Sequence, residues 1–161
     1  LHIFNDATKK VPHLRLEIVG DGVERQKLET LAQQLGIEQS VVFAGWQGNI
    51  APWLERWDVF ALSSLWEGLP CSVVEARLFK LPVIAYNTGG IKDVIHPEKN
   101  GFLIPQRHKK TFTAAIVDYY SHPSLYQEHA LFNDDLSDFS QETMINQHIK
   151  LYEFLTRSKL F

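Results

Sequence analysis

Apolar positions along the chain follow two different periods. Five short runs, residues 14–19, 41–44, 57–62, 83–86 and 102–104, are apolar enough to read as strands. Several are continuous rather than alternating, the pattern of strands buried on both faces of a parallel sheet. Between them the period is helical. Leu28, Leu31, Ala32 and Leu35 repeat at i, i+3, i+4 and i+7, with Gly36 as the stop. A shorter helix is expected after Asn49 as its N-cap, with Pro52 in its first turn. A third is expected over 71–80, ended by Pro82. Strands alternating with helices predict βαβ units, and so an α/β, doubly wound parallel sheet covered by helices on both faces.

After Pro105 the pattern turns wholly helical. Phe112, Ala115, Ile116 and Tyr119 form one stripe, Leu125, His129, Phe132 and Leu136 a second, and Ile145, Ile149 and Tyr152 a third. No Gly-, Pro- or Ser-rich linker and no repeat interrupts the chain. It reads as one α/β domain with a helical tail from about residue 109.

Composition narrows the function classes. Lys and Arg number 16 against 19 Asp and Glu, and a net charge of −3 leaves no basic footprint for nucleic acid. The basic run Arg107, His108, Lys109 and Lys110 reads as a solvated helix start. No apolar run nears the ~20 residues of a membrane span, so no direct membrane insertion by this segment is expected. One cysteine, Cys71, cannot form an internal disulfide and fits a reducing compartment. The seven histidines lack zinc-type spacing and read as surface positions. Because the chain opens on Leu1 in helix-like sequence, it is expected to be a fragment.

In open parallel sheets ligands bind outside the carboxyl ends of the strands. The loops to inspect are 20–22, 45–48, 63–70, 87–90 and 105–107, four of which are rich in glycine. The third carries the most chemistry. Glu67 lies in the loop and Glu75 eight positions on, about a turn inside the next helix, with Pro70 expected in that helix's first turn. Such a helix start turns free N–H groups and a positive dipole end toward the crevice, a ready phosphate site. Helical side chains lean toward the N-terminus, so Glu75 can reach the same crevice. Phosphate on the helix end, with a carboxylate on each side for sugar hydroxyls, is the arrangement these residues suggest.

At this point the sequence resembles a family. Glutamate, seven residues, glutamate, as Glu67 to Glu75, is similar to the signature of the group 1 glycosyltransferases, whose two Rossmann-like domains form the GT-B fold. The match extends through Leu16-Glu17-Ile18-Val19-Gly20-Asp21-Gly22, Val41-Val42-Phe43-Ala44-Gly45, Pro82-Val83-Ile84-Ala85, Thr88-Gly89-Gly90-Ile91 and Gly101-Phe102-Leu103-Ile104. It covers the chain from Leu14 to about Tyr152.

The resemblance implies a donor-binding, carboxy-terminal half of a retaining enzyme that moves a sugar from a nucleotide-diphosphate sugar to an acceptor glycan or lipid-linked sugar. Glu67 becomes the candidate catalytic residue, orienting the donor sugar rather than attacking it, and Glu75 the ribose ligand. Gly68, Leu69 and Pro70 would lie near sugar and diphosphate, with helix-end donors at Ser72. Trp46 and Gln47 would flank the base; Gly20, Gly22, Gly89 and Gly90 would let backbone approach the donor. No metal and no cofactor beyond the sugar nucleotide is implied. The family's first strand, with an Arg and a Lys-Gly pair for the diphosphate, and its acceptor domain are expected upstream of Leu1. Without them the fragment is expected to be inactive. The resemblance also implies a cytoplasmic setting in polysaccharide biosynthesis, with any membrane association made through the absent domain.

Other readings stand beside it. Glu67 and Glu75 alone would pass for solvated acids. Gly20-Asp21-Gly22 invites a dinucleotide reading, but Arg25 stands where the third glycine would be. Trp46 and Trp66 fit stacking on a ligand and core packing equally. Cys71 is expected to be a small packed residue, and Asp93 to support the loop after Gly90. A sugar-nucleotide epimerase of the same fold would keep the nucleotide site. A non-catalytic domain docking a partner through the tail helices would not need catalysis at all.

Overall fold

The computed structural model describes residues 1–68 and 70–157. In order the elements are α1 (His2–Thr8), β1 (Leu16–Val19), α2 (Arg25–Gln34), β2 (Val41–Gly45), α3 (Ala51–Leu54), β3 (Phe60–Leu62), α4 (Cys71–Leu78), β4 (Val83–Tyr86), α5 (Ile91–Val94), β5 (Gly101–Ile104), α6 (Lys109–Ser121), α7 (Pro123–Leu131) and α8 (Gln141–Arg157). Every strand pair is parallel, as the alternation predicts. β4 sits in the middle of its sheet, and its Val-Ile-Ala-Tyr sequence is buried at all four positions. Its side chains alternate: Val83 and Ala85 join a core with Leu54, Val73, Ala76 and Ile91, while Ile84 and Tyr86 join one with Phe112, Ala115 and Tyr119. Helices therefore cover both faces.

One expectation needs correcting. The strands form two sheets, β1–β2 and β3–β4–β5, rather than one. β1 and β3 each keep one edge outside any ladder; β1 is half-buried throughout and Ala61 in β3 is exposed. Side chains make the connection instead. Glu17 Oε2 accepts hydrogen bonds from Arg56 Nη2 (2.7 Å) and Trp57 Nε1 (2.6 Å). Burial would raise the Glu17 pKa, but these bonds and the Arg56 charge outweigh it and hold the carboxyl below its usual range. Helix α1 adds a second tie. Its Phe4 is buried with Ala32, Ile37 and Val41 beside β1–β2, while Ile3 packs against the core of Ile84 and Phe112.

Element ends follow local chemistry. α2 closes on Gly36 at φ 67°, where Ile37 N bonds Ala32 O (3.0 Å). α4 ends the same way but at Leu78, with Lys80 at φ 61° and Leu81 N bonded to Ala76 O (3.0 Å). Pro70 is its N-cap rather than a residue of its first turn. The third helix starts at Ala51, whose N–H Asn49 Oδ1 accepts from two residues back (3.1 Å). β3 begins only at Phe60, three residues later than expected.

The tail departs from its predicted stripes. α7 stops at Leu131, leaving Phe132 extended and Leu136 in a turn. A buried network explains this. Arg77, fully buried on α4, pairs with Asp134 Oδ2 through Nη2 (2.8 Å) and Nε (3.0 Å) and donates to Leu81 O (2.7 Å) and Phe132 O (3.3 Å). Asn100 Nδ2 donates to Asp134 Oδ1 and to Val94 O. α6 and α7 thus belong to the body. α8 does not: Ile145, Ile149 and Tyr152 do form a helical stripe, but it is exposed. No described helix is long and apolar enough to cross a membrane.

One histidine breaks the surface expectation. His129 is fully buried, its Nδ1 lies 2.7 Å from the Tyr119 hydroxyl, and its Nε2 has no hydrogen-bond partner among the described residues. Burial pulls its pKa below 6.5, with Glu128 opposing and Arg77 adding to the shift. The folded state therefore binds this proton less readily than the unfolded one. Its stability contribution is whole above pH 6.5 and is lost as pH falls below that value. Denaturation midpoints measured from pH 7.5 to 5 should decline at up to ~1.4 kcal/mol per pH unit from this group, and His129→Gln should flatten the decline. An unchanged slope in the variant would assign the pH response to other groups.

Candidate functional site

The loops that leave the carboxyl ends of the strands form two groups. The first joins β1 and β2. Gly20 N donates to Gly45 O (2.8 Å), and Asp21 accepts from Gly22 N (2.8 Å) and Arg25 Nη1 (3.0 Å). The Gly22 N–H, then Arg25, hold the Asp21 carboxyl below its usual range. Arg25 also donates to Phe43 O (3.0 Å), so the residue that spoils the dinucleotide pattern clamps this loop group instead. Trp46 is 78% exposed, stands against Gly48, and is no core residue. Gln47 is turned back to Ala44 O (2.9 Å) by its amide.

The second group centres on loop 63–70. Leu65 O accepts from two side chains, Thr88 Oγ1 (3.0 Å) after β4 and Gln106 Nε2 (3.0 Å) after β5. Gly90 N donates to Gly68 O (2.7 Å). Gly89 lies at φ 54°, and a Cβ there would fall on the Glu67 carbonyl oxygen. Loop 63–70 is therefore pinned at Leu65, Glu67 and Gly68 by its two neighbouring loops. Glu67 is half-buried within it, beside Trp66, which is 84% exposed. Leu69 lies outside the described residues.

Pro70 is buried and opens α4. Ser72 follows in the first turn, half-buried, and Glu75 in the second, exposed. Cys71 is exposed rather than packed. Asp93 falls in the first turn of the unforeseen α5. The pinned acidic loop thus runs straight into a helix start, with Glu67 before it and Glu75 after it, at the carboxyl end of a parallel sheet. Carboxylates there accept hydroxyl hydrogen bonds, and the helix start favours an anion.

Sequence reasoning missed the supports. Thr88 lies in a matched block and Gln106 in none, but their meeting at Leu65 O arises only through the fold. It also set aside the basic run after β5. Arg107, at φ 64°, and Lys109 line a cavity of about 390 Å³ with His2, Ser63, Leu65 and Tyr86, against the same loop.

The family profile described as glycosyl transferases group 1 matches residues 1–130. An uncharacterized glycosyltransferase of Haemophilus influenzae is 35% identical over 127 residues, covering 78% of this chain and 36% of that protein. A lipopolysaccharide core biosynthesis glycosyltransferase, LpsE of Rhizobium meliloti, is 30% identical over 152 residues, 93% of this chain and 45% of its own length. Among solved structures, Anabaena Alr3699/HepE in complex with UDP and glucose superposes with a TM-score of 0.80 at 26% identity, covering 99% of this chain and 44% of that one. The chain spans less than half the length of each of the three.

Proposed function

The chain belongs to the group 1 glycosyl transferases, and on that premise we propose that it is the donor-binding half of a retaining enzyme that moves a sugar from a nucleoside-diphosphate donor to a glycan or lipid-linked acceptor. The observation that carries this reading is the pinned loop 63–68, which holds Glu67 shortly before the α4 start, with Glu75 exposed in the second turn of that helix. Diphosphate charge is met by the α4 dipole end, Glu75 holds the ribose, and Glu67 orients the sugar. Leaving-group stabilisation by such fixed dipoles is the main catalytic effect available to this half. Exposed Trp46 offers a face to the base, with Gln47, Gly20 and Gly22 beside it; Gly68, Pro70, Ser72, Gly89 and Gly90 line the sugar and phosphate side.

In this reading the acceptor surface belongs to another domain. A further parallel strand, upstream of Leu1, fills the open edges of β1 and β3. The isolated 161-residue chain transfers no sugar, because donor and acceptor are not held together.

Titration calorimetry with UDP, GDP, ADP, their glucose conjugates and NAD tests the donor site. A nucleoside diphosphate should bind more tightly than NAD. Glu75→Ala should weaken free nucleotide and sugar nucleotide alike, whereas Glu67→Ala should weaken only the sugar nucleotide, each by roughly 1.5–3 kcal/mol. Tighter NAD binding, or equal losses for both ligands in both variants, would remove the proposal.

A further inference from the structure

We infer that Thr88 and Gln106 are positioning residues for Glu67, acting through the carbonyl oxygen of Leu65. The inference rests on the reading of Glu67 as the contact to the donor sugar.

Two observations converge. First, one backbone oxygen receives two side-chain donors from two different loops, Thr88 Oγ1 and Gln106 Nε2, each at 3.0 Å. A carbonyl has two acceptor sites, so both are taken up by tertiary bonds and none serves a helix or sheet. Second, among the described residues no strand or helix holds the segment between β3 and α4. Its main-chain tie to the rest of the fold is Gly90 N to Gly68 O (2.7 Å), one residue past Glu67. The carboxylate is therefore bracketed: two donors fix the backbone two residues before it, and one amide fixes the backbone one residue after it.

The two donors differ usefully. Thr88 is half-buried and sits next to Gly89, whose missing Cβ lets the β4–α5 loop lie on the Glu67 carbonyl. Gln106 is exposed and reaches over from 41 positions away. Its amide can be removed without touching a core side chain. Neither side chain is within the Glu-x7-Glu segment, so each should affect the sugar term of binding without touching the nucleotide term. A tether of this kind limits where a carboxylate can be, and a displacement of a fraction of an ångström is enough to lose an oriented hydrogen bond.

The test uses the 161-residue chain with Thr88→Val, Gln106→Leu and the double variant, probed with UDP and UDP-glucose by calorimetry. Loss of one tether should lower UDP-glucose affinity about threefold to fivefold and loss of both about tenfold or more, with UDP affinity unchanged. Thr88→Ser, which restores the hydroxyl, should restore the affinity. A second arm needs no ligand. Amide exchange at Gly90 should quicken at least about fivefold in Gln106→Leu and in the double variant, while amides of β4 keep their protection. Equal loss of UDP and UDP-glucose, or unchanged Gly90 exchange, would overturn the inference. If Glu67→Ala also spares UDP-glucose, the donor-sugar reading fails, and the exchange arm still decides whether the tethers hold the loop.

Discussion

Asp134→Ala is expected to destabilise the protein by about 3–5 kcal/mol, the usual effect of stripping one partner from a buried ion pair. Its carboxylate is almost fully enclosed and answers Arg77 through two bonds and Asn100 through a third. Removing it leaves a fully buried guanidinium whose remaining partners among the described residues are the carbonyls of Leu81 and Phe132. For a chain of this size the loss corresponds to a fall in Tm of roughly 10 °C or more. Arg77→Met combined with Asp134→Leu should recover much of it, since an apolar pair of similar volume removes the stranded charge. Differential scanning calorimetry of the two singles and the double closes the cycle. A single-variant loss no larger than that of a surface substitution would mean that the tail is not fastened by this pair.

Gly89→Ala is expected to be the most damaging change in the candidate site. Two effects add. A side chain at φ 54° costs about 1–3 kcal/mol in backbone strain, and crowding costs about 1–3 kcal/mol more. The added Cβ would meet backbone, the carbonyls of Glu67 and Gly68, so the clash cannot be relieved by turning a flexible side chain. Loop 63–68 has to move, and Glu67 with it. Gly68→Ala in the same loop is the stability control, because a Cβ there meets nothing within 4 Å. Thermal melts and UDP-glucose titrations of both variants check the prediction. Equal melting of the two would show that the β4–α5 loop gives way without strain.

Parallel pairing was legible because burial on both faces writes itself into continuous apolar runs such as 83–86. The helix stop at Gly36 was legible for a local reason, the left-handed turn. What escaped the sequence was tertiary. The stripe through Leu125, His129, Phe132 and Leu136 has helical spacing, yet the helix ends at Leu131, because Arg77 takes the Phe132 carbonyl and Asp134 must reach the core. Run 57–62 opens on Trp57, but Trp57 spends its indole N–H on Glu17, Asp58 follows it, and the ladder begins at Phe60. α5 spans four residues, too few to display a period, although Ile91 and Val94 are both buried. In the candidate site the glutamates could be picked out by pattern; the pairing of Thr88 with Gln106 could not, since a hydroxyl and an amide pointing at one distant carbonyl leave no periodic trace.

The division of the strands into two sheets has a mechanical consequence. Backbone ladders fix distances within each sheet, but the spacing between the sheets is set by α1 and by the Glu17 bridge to Arg56 and Trp57. Seven residues of helix, with Phe4 seated on one side and Ile3 on the other, act as the spacer. The Trp46 loop rides on one sheet and the Glu67 loop on the other. In the proposed reading one donor spans both loops, so a change of side-chain volume at Ile3 or Phe4 is expected to alter their separation from a distance.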